Sequence, residues 1–505
     1  MIGTSIAENV FIRTCILGLR AITPLSIFYV AFSIAEPPSS TPGKVLLSWC
    51  ALETAFWLLV YLPCKRALHA PANHPPLVSR VDRHDIFQKC AEHIPNPEYY
   101  LSKWFLGARS FEVRRDNVKD FMAWAMLNKG DGDEKKGEEA QAEEEELEGY
   151  VDGIEKVLGR SIEPGRGTAT SLRLTVDKVG MLHRPFLWYL IVGAVDTLTA
   201  AYLAYNGFIL YRRPFRLWLT VFPWRICDFF TRRVTPASEM SYWYRPHTSR
   251  TRLPILFIHG IGIGLYPYAR FLSEINKDDE LGADDGQIGI IALEIMPISF
   301  RITGEIPHKS ELCRQINAIL DEHGWNKVVL ASHSYGSVIT THLLKNSDTA
   351  HRIGPMLFVD PVTFLVHLPD VCYNFTARPP RRANEHQLYY FASNDMMVAH
   401  TLARHFFWSE NILWKEDIRR RDVTVSLGGR DLIVDTETVG KYLAGVDMRS
   451  EDPSWKDADY VDYGVQLLWF PTCDHAQVFE RADGRRKLGD RLRLYAKEAT
   501  ESDVA

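Results

Sequence analysis

Hydrophobic and polar positions divide the chain into stretches of different texture. Near the start, "VFIRTCILGLRAITPLSIFYVAFSIA" and "VLLSWCALETAFWLLVYLPC" flank the turn-rich "EPPSSTPGK". Two apolar runs around such a break predict a helical hairpin. The second run, Val45 to Cys64, has the length of a bilayer span, ~20 residues. Arg13 and Arg20 interrupt the first run, and an arginine at mid-bilayer costs ~2.5–3.5 kcal/mol, so both are expected at the interface. About fifteen apolar residues remain after Arg20, few for a crossing, which suits a hairpin that dips into one leaflet. No small-x-small site separates the two runs, which argues against a cleaved signal peptide.

Further on, "YYLSKWFLGARSFEVRRDNVKDFMAWAMLN" places Val118, Phe121, Met122, Trp124 and Ala125 at helical spacing, predicting one or two amphipathic helices. The acidic "GDGDEKKGEEAQAEEEELEG", roughly residues 130–150, has little to bury and predicts a solvated, disordered loop. A third apolar run extends from Pro185 to Tyr211 and carries Asp196. Basic residues precede it (Arg160, Arg166, Arg173, Lys178, Arg184) and follow it (Arg212, Arg213, Arg216, Arg225, Arg232, Arg233). A single crossing would strand one basic cluster on the wrong side. An interfacial segment is expected instead, with Trp188, Trp218 and Trp224 at the headgroups and arginines on anionic lipid. A buried core helix is the competing reading.

From Pro254 the texture becomes short apolar runs alternating with helical patterns, the signature of a largely parallel sheet covered by helices. The expected strands are Pro254–His259, Ile288–Glu294, Val328–Ser332, Pro355–Asp360, Val423–Leu427 and Val465–Phe470, with helices at Lys309–His323 and Tyr335–Leu344. Four parts follow: a membrane hairpin (1–66), a helical linker region (67–180), an apolar and basic membrane segment (181–235) and a catalytic α/β domain (236–505). Roughly sixty residues separate the fourth strand from the fifth, too many for a simple loop, and predict a helical cap over about 362–420. Its apolar, aromatic texture suits a hydrophobic substrate.

Candidate chemistry gathers at the strand ends. The first strand enters His259-Gly260-Ile261-Gly262-Ile263-Gly264, whose glycines let the backbone turn tightly and aim N–H groups into a cleft. The loop lacks the lysine of a phosphate-binding P-loop. The third strand enters Ser332-His333-Ser334-Tyr335-Gly336 and then a helix, the layout of a nucleophile elbow with Ser332 in place of the first glycine. Ser334 is the candidate nucleophile, and the Tyr335 amide would face an oxyanion. His475, after the last strand in "LLWFPTCDHAQVFE", is the candidate base, and Asp431, in "VTVSLGGRDLIVD", the candidate orienting acid. Asp435 and Asp360 are rival acids. Asp474 is poorly placed to reach the ring of its neighbour.

Composition narrows this little. A net charge of −5 and a pI of 6.4 give no case for a nucleic-acid partner. Eight scattered cysteines without a CxxC pair argue against a disulfide framework and a structural zinc site, and suit a reducing, cytosol-facing environment. No metal or nucleotide cofactor is expected.

In "FIHGIGIGLYPY", "ASHSYGS", "GGRDLIV" and "DHAQVF" the chain resembles an α/β-hydrolase. With "YLSKWF" and "RRDNVKDFMAWA" upstream, the whole chain resembles membrane-associated fungal members of that superfamily. The resemblance implies Ser334 as nucleophile, His475 as base, Asp431 as orienter, and the Ile261 and Tyr335 amides as oxyanion donors. The expected activity is serine-dependent hydrolysis of an ester or thioester of a hydrophobic, lipid-like substrate. The same triad could serve acyl transfer, thioester release or cyclisation, and a non-catalytic binding module is the remaining alternative. The expected location is the endoplasmic reticulum or a lipid droplet, with the catalytic domain facing the cytosol.

Overall fold

The computed structural model describes residues 2–130, 137–277, 285–457 and 465–497. Eight strands form one sheet: β1 (Ile209–Tyr211), β2 (Ser241–Arg245), β3 (Ile255–Ile258), β4 (Ile290–Glu294), β5 (Val328–His333), β6 (Ile353–Val359), β7 (Val423–Gly428) and β8 (Val465–Phe470). Their spatial order is β1-β2-β4-β3-β5-β6-β7-β8, with β2 antiparallel to both neighbours and the others parallel. The six expected strands are all present, within about two residues at each end. Central parallel strands are buried on both faces, so they read as continuous apolar runs and are legible in sequence. Alternate side chains serve two cores. Leu256, Ile258 and Leu330 join the side covered by helices Lys309–Glu322 and Gly336–Lys345, while Ile255, Phe257 and Val329 join the side covered by Ala482–Lys497.

β1 and β2 were not expected, and they correct the boundary at 236. β1 lies within the stretch assigned to the membrane, yet pairs with β2 through Ile209–Tyr244, Leu210–Trp243 and Tyr211–Tyr242. Three residues at the end of a long apolar run carry no periodic signal of their own. The helix before it, Phe186–Tyr205, is neither free-standing nor wholly buried. Tyr189, Val192 and Leu203 pack into the domain, while Leu198 and Tyr205 stay exposed. Trp188 is buried against Phe300 and Phe391 rather than placed at a headgroup. Several arginines also turn inward. Arg184, Arg212, Arg213 and Arg225 are buried, and Arg225 reaches Glu294 and Asp196. Asp196 also meets Arg301 at 2.8 Å, so its charge is balanced by the domain.

The acidic stretch departs from expectation as well. Residues 131–136 lie outside the described ones, and Glu138–Leu158 form a helix whose Leu147, Tyr150 and Val151 are buried. Its glutamates are matched by basic residues of neighbouring helices: Arg83 with Glu146, and Arg115 with Glu148. With Arg80–Glu92, Pro97–Trp104 and Arg115–Leu127 it encloses a separate small core of Phe87, Phe105, Val118 and Met122. This unit packs on the insertion between β6 and β7, whose regular elements, from Pro369–Cys372 to Lys415–Ile418, are all helical. Arg404 of the insertion donates to the carbonyls of Ala70 and Asp177.

Among the described residues, three helical stretches are long and apolar enough to cross a membrane: Ile6–Ala35, Thr41–Ala67 and Phe186–Tyr205. The first runs unbroken past both arginines, so length does not confine it to one leaflet. At 1.5 Å per residue, 30 residues reach about 45 Å. Arg13 and Arg20 border a cleft beside His386 of the insertion, and Asn9 donates to the Arg381 carbonyl. The second helix is fastened by Glu53. This fully buried carboxylate accepts the N–H groups of Phe186 and Leu187 at 2.9 and 3.1 Å, capping a helix whose own N-cap, Pro185, offers no side-chain acceptor. Glu53→Ala should therefore cost about 1–3 kcal/mol by leaving buried donors unpaired, and Glu53→Gln less. Thermal unfolding in detergent checks the order of the three melting temperatures.

Candidate active site

The strand order reverses between β3 and β5, because β4 lies on one side of β3 and β5 on the other. Such a switch point opens a crevice outside the strand C-termini. The turn at His259 and the elbow at Ser334 border this crevice from its two sides. Ser334 has φ of 50°, the left-handed region that costs a non-glycine residue roughly 1–2 kcal/mol. The strain is held by three hydrogen bonds. Its N–H donates to the Val359 carbonyl at 3.0 Å, and the Ser337 amide and hydroxyl donate to its carbonyl at 2.9 and 2.6 Å. Glycine is required where the backbones converge. A Cβ on Gly336 would lie 2.5 Å from the Ile258 oxygen, and one on Gly260 would lie 2.8 Å from the Ser334 Cβ. Ser332 is buried, and among the described residues its hydroxyl has no partner, so the position uses its small size.

The raised Ser334 Oγ lies 2.8 Å from His475 Nε2, and His475 Nδ1 lies 2.7 Å from a carboxylate oxygen of Asp431. The other oxygen of Asp431 accepts the N–H groups of Ile433 and Val434. These three residues come from the ends of β5, β7 and β8, in the chain order serine, acid, histidine. This is the α/β-hydrolase fold.

At this site the rival acids do other work. Asp435 caps the helix Thr436–Ala444 by accepting from Thr438. Asp360, with φ of 43°, accepts the Gly428 N–H at 3.0 Å and the Ala476 N–H at 2.9 Å, and so ties the acid loop to the histidine loop. Asp474 accepts from Leu432, from the His475 amide and from Asn384 of the insertion. Neither tie was visible in the sequence, because backbone amides leave no residue-type signature. Burial and the charge of Asp431 raise the pKa of Asp360. Burial opposes the charge of His475, but Asp431, with Asp360 and Asp474 behind it, outweighs burial and raises its pKa above the usual histidine value.

His259 supports its turn from both ring nitrogens: Nδ1 donates to the Gly260 carbonyl and Nε2 accepts the Ile295 N–H. Burial keeps its pKa low, consistent with this neutral form. Tyr268, missed in sequence although it lies in the "GLYPY" segment, accepts the Gly260 N–H at 3.3 Å and donates to His333 Nδ1 at 2.8 Å. Among the described residues the amides of Ile261 and Tyr335 have no hydrogen-bond partner. Both residues line, with Ser334, a cavity of about 60 Å³ without a charged side chain in its walls. Gly262 donates to the Ile298 carbonyl, so its amide is engaged on the opposite side of the turn.

Among the described residues, two trios have donor atoms close enough for a metal ion. His333, Asp360 and His475 include the ring already bound to Ser334 and Asp431, while Glu305, His400 and His405 lie at the edge of the insertion. His475 could ligate a metal in the first trio only by giving up its bond to Ser334 or its bond to Asp431.

No family model matches the chain, and no curated protein sequence does. Solved structures resemble it in fold alone. A membrane phospholipase A, a bacterial virulence factor, is 12% identical over 61% of this chain and 93% of its own, with a TM-score of 0.35. A carboxylesterase of the thaumarchaeon Nitrososphaera gargenis is 12% identical over 52% and 98%, also at 0.35. The carboxylesterase CesB of Bacillus subtilis is 9% identical over 61% and 100%, at 0.34.

A pH test follows from the histidine's surroundings. Only its neutral form can accept the serine proton, so the rate of Ser334 phosphonylation by a fluorophosphonate should rise with pH through a midpoint above ~6.5. In Asp431→Asn burial acts unopposed by that charge, so the midpoint should fall, and the rate with it by about 10³–10⁴. Stopped-flow or gel-based labelling across pH measures both.

Proposed function

We propose that this chain is a membrane-associated serine hydrolase that cleaves an ester or thioester of a hydrophobic acyl group. The observation that carries the reading is the 2.8 Å and 2.7 Å relay from Ser334 through His475 to Asp431, opening onto an uncharged cavity. His475 takes the hydroxyl proton as Ser334 Oγ attacks the carbonyl carbon. The oxyanion is held by the amides of Ile261 and Tyr335. As the tetrahedral intermediate collapses, His475 gives the proton to the leaving alcohol or thiol. Water, deprotonated by His475, then attacks the acyl-enzyme and releases the acid, restoring the serine.

Membrane attachment is supported by the hairpin and by a second exposed surface. Phe215, Leu219, Trp224, Ile226, Phe229 and Phe230 are exposed beside Arg216, Arg232 and Arg233. Phe230 at 84% and Leu219 at 70% exposure would be poorly accommodated in water as part of one patch. Aromatic and basic residues together suit the headgroup layer of an anionic leaflet. A cytosolic face of the endoplasmic reticulum or a lipid droplet would present such a layer together with dissolved esters.

Ser334→Ala should abolish fluorophosphonate labelling and ester turnover while leaving the melting temperature nearly unchanged; labelling that survives the substitution would remove Ser334 from the reaction. The full chain should remain in the membrane pellet after alkaline carbonate washing, and quantitative release would exclude the hairpin as an anchor.

A further inference from the structure

A second cavity, of about 130 Å³, lies among the upstream helices. It shares three walls with the cavity at Ser334: Trp104, Trp124 and Trp408 border both. Two of these indoles are fixed by their polar edges. Trp124 Nε1 donates to Thr175 Oγ1 at 2.8 Å, and Trp408 Nε1 donates to the Ala125 carbonyl at 2.9 Å. Trp104 is held against Trp124 and Phe121, with ring centroids 6.1 and 5.1 Å apart. With the N–H groups of Trp124 and Trp408 engaged by protein, the rings give the cavities carbon surface. No charged side chain lines either cavity.

The insertion borders both spaces, through Phe375 and Leu402 at the first and His367 and Pro369 at the second, while the upstream helices supply most of the second. Ser334 and the insertion frame the first. Ala91 of Arg80–Glu92 and Ile154 of Glu138–Leu158 line the second. Trp104 and Trp124 lie in the "YLSKWF" and "RRDNVKDFMAWA" stretches, which the triad does not use. An occupant reaching from Ser334 into the second space must be apolar along its length and thin enough to pass three large rings.

We propose that helices Arg80–Glu92, Pro97–Trp104, Arg115–Leu127 and Glu138–Leu158, with the insertion, form an acyl-chain tunnel, so that the substrate is an ester or thioester of a long, linear acyl group whose chain passes the three tryptophans. This rests on the acyl-enzyme reading of Ser334. Each methylene taken from water into such a space contributes ~0.8 kcal/mol, about fourfold in kcat/KM if realised in the transition state. A polycyclic or branched acyl group would stop at the indoles.

The test compares p-nitrophenyl butyrate with p-nitrophenyl palmitate on the full chain in detergent. Ala91→Trp and Ile154→Trp each add bulk inside the distal cavity. In both variants the palmitate-to-butyrate ratio of kcat/KM should fall about tenfold or more, as two or more methylenes lose their site. An unchanged ratio in both folded variants would overturn the tunnel while leaving the serine-hydrolase reading intact. Absence of labelling and of turnover of either ester by the unsubstituted chain would instead sink the underlying reading. Binding gives a readout independent of turnover and of whether the variants fold. Palmitate brominated at its terminal carbon should quench tryptophan fluorescence saturably in Ser334→Ala, and less in Ser334→Ala/Trp104→Phe; no saturable quenching would overturn the proposal.

Discussion

Two backbones meet below Ser334 more closely than side chains would allow. The turn after β3 lies so near the elbow after β5 that a methyl group at Gly336 would strike the Ile258 carbonyl, and one at Gly260 would strike Ser334 itself. This contact sets the height of the serine above the sheet and the position of the adjacent amides. It also explains why a left-handed serine persists: turning it back would break its bonds to Val359 and Ser337. The histidine and the acid are then brought to a point already fixed, by ties that converge on Asp360 and Asp474.

Above this platform the chain has covered its own site. The insertion between β6 and β7 forms one wall, and the helices between the hairpin and the third apolar run form another, so the cavity at Ser334 has no direct wall of charged residues. The beginning of the hairpin touches the same insertion through Asn9 and Arg381. The insertion, the upstream helices and the N-terminal hairpin are thus one connected structure, in which Glu53 and Arg404 are ties that span long sequence distances.

Local signals pointed to three side chains that the structure brings into one hydrogen-bonded relay. A serine between a buried strand and a helix, an acid after a glycine pair and a histidine after the last strand are features of a few residues each, and each sits at a strand end where pattern is strong. The long apolar runs were equally plain. Less visible were features that depend on partners far away. The acidic stretch looked unable to bury anything, yet from Glu138 onward it is a helix, because Arg83, Arg115 and Lys119 of neighbouring helices meet its glutamates. Trp188 and the buried arginines looked like headgroup ligands for the same reason: composition records charge and aromaticity, not the direction in which a side chain points.

The sequence by itself determined the parallel sheet, the elbow, the candidate serine, acid and histidine, and the apolar hairpin, since these arise from spacing along a short length of chain. Tertiary structure alone decided that β1 belongs to the sheet, that Asp360 and Asp474 bind loops rather than the imidazole ring, and that three tryptophans from separate segments border two cavities. Those outcomes depend on which surfaces are left to cover one another once the chain is compact, and no local pattern carries that information.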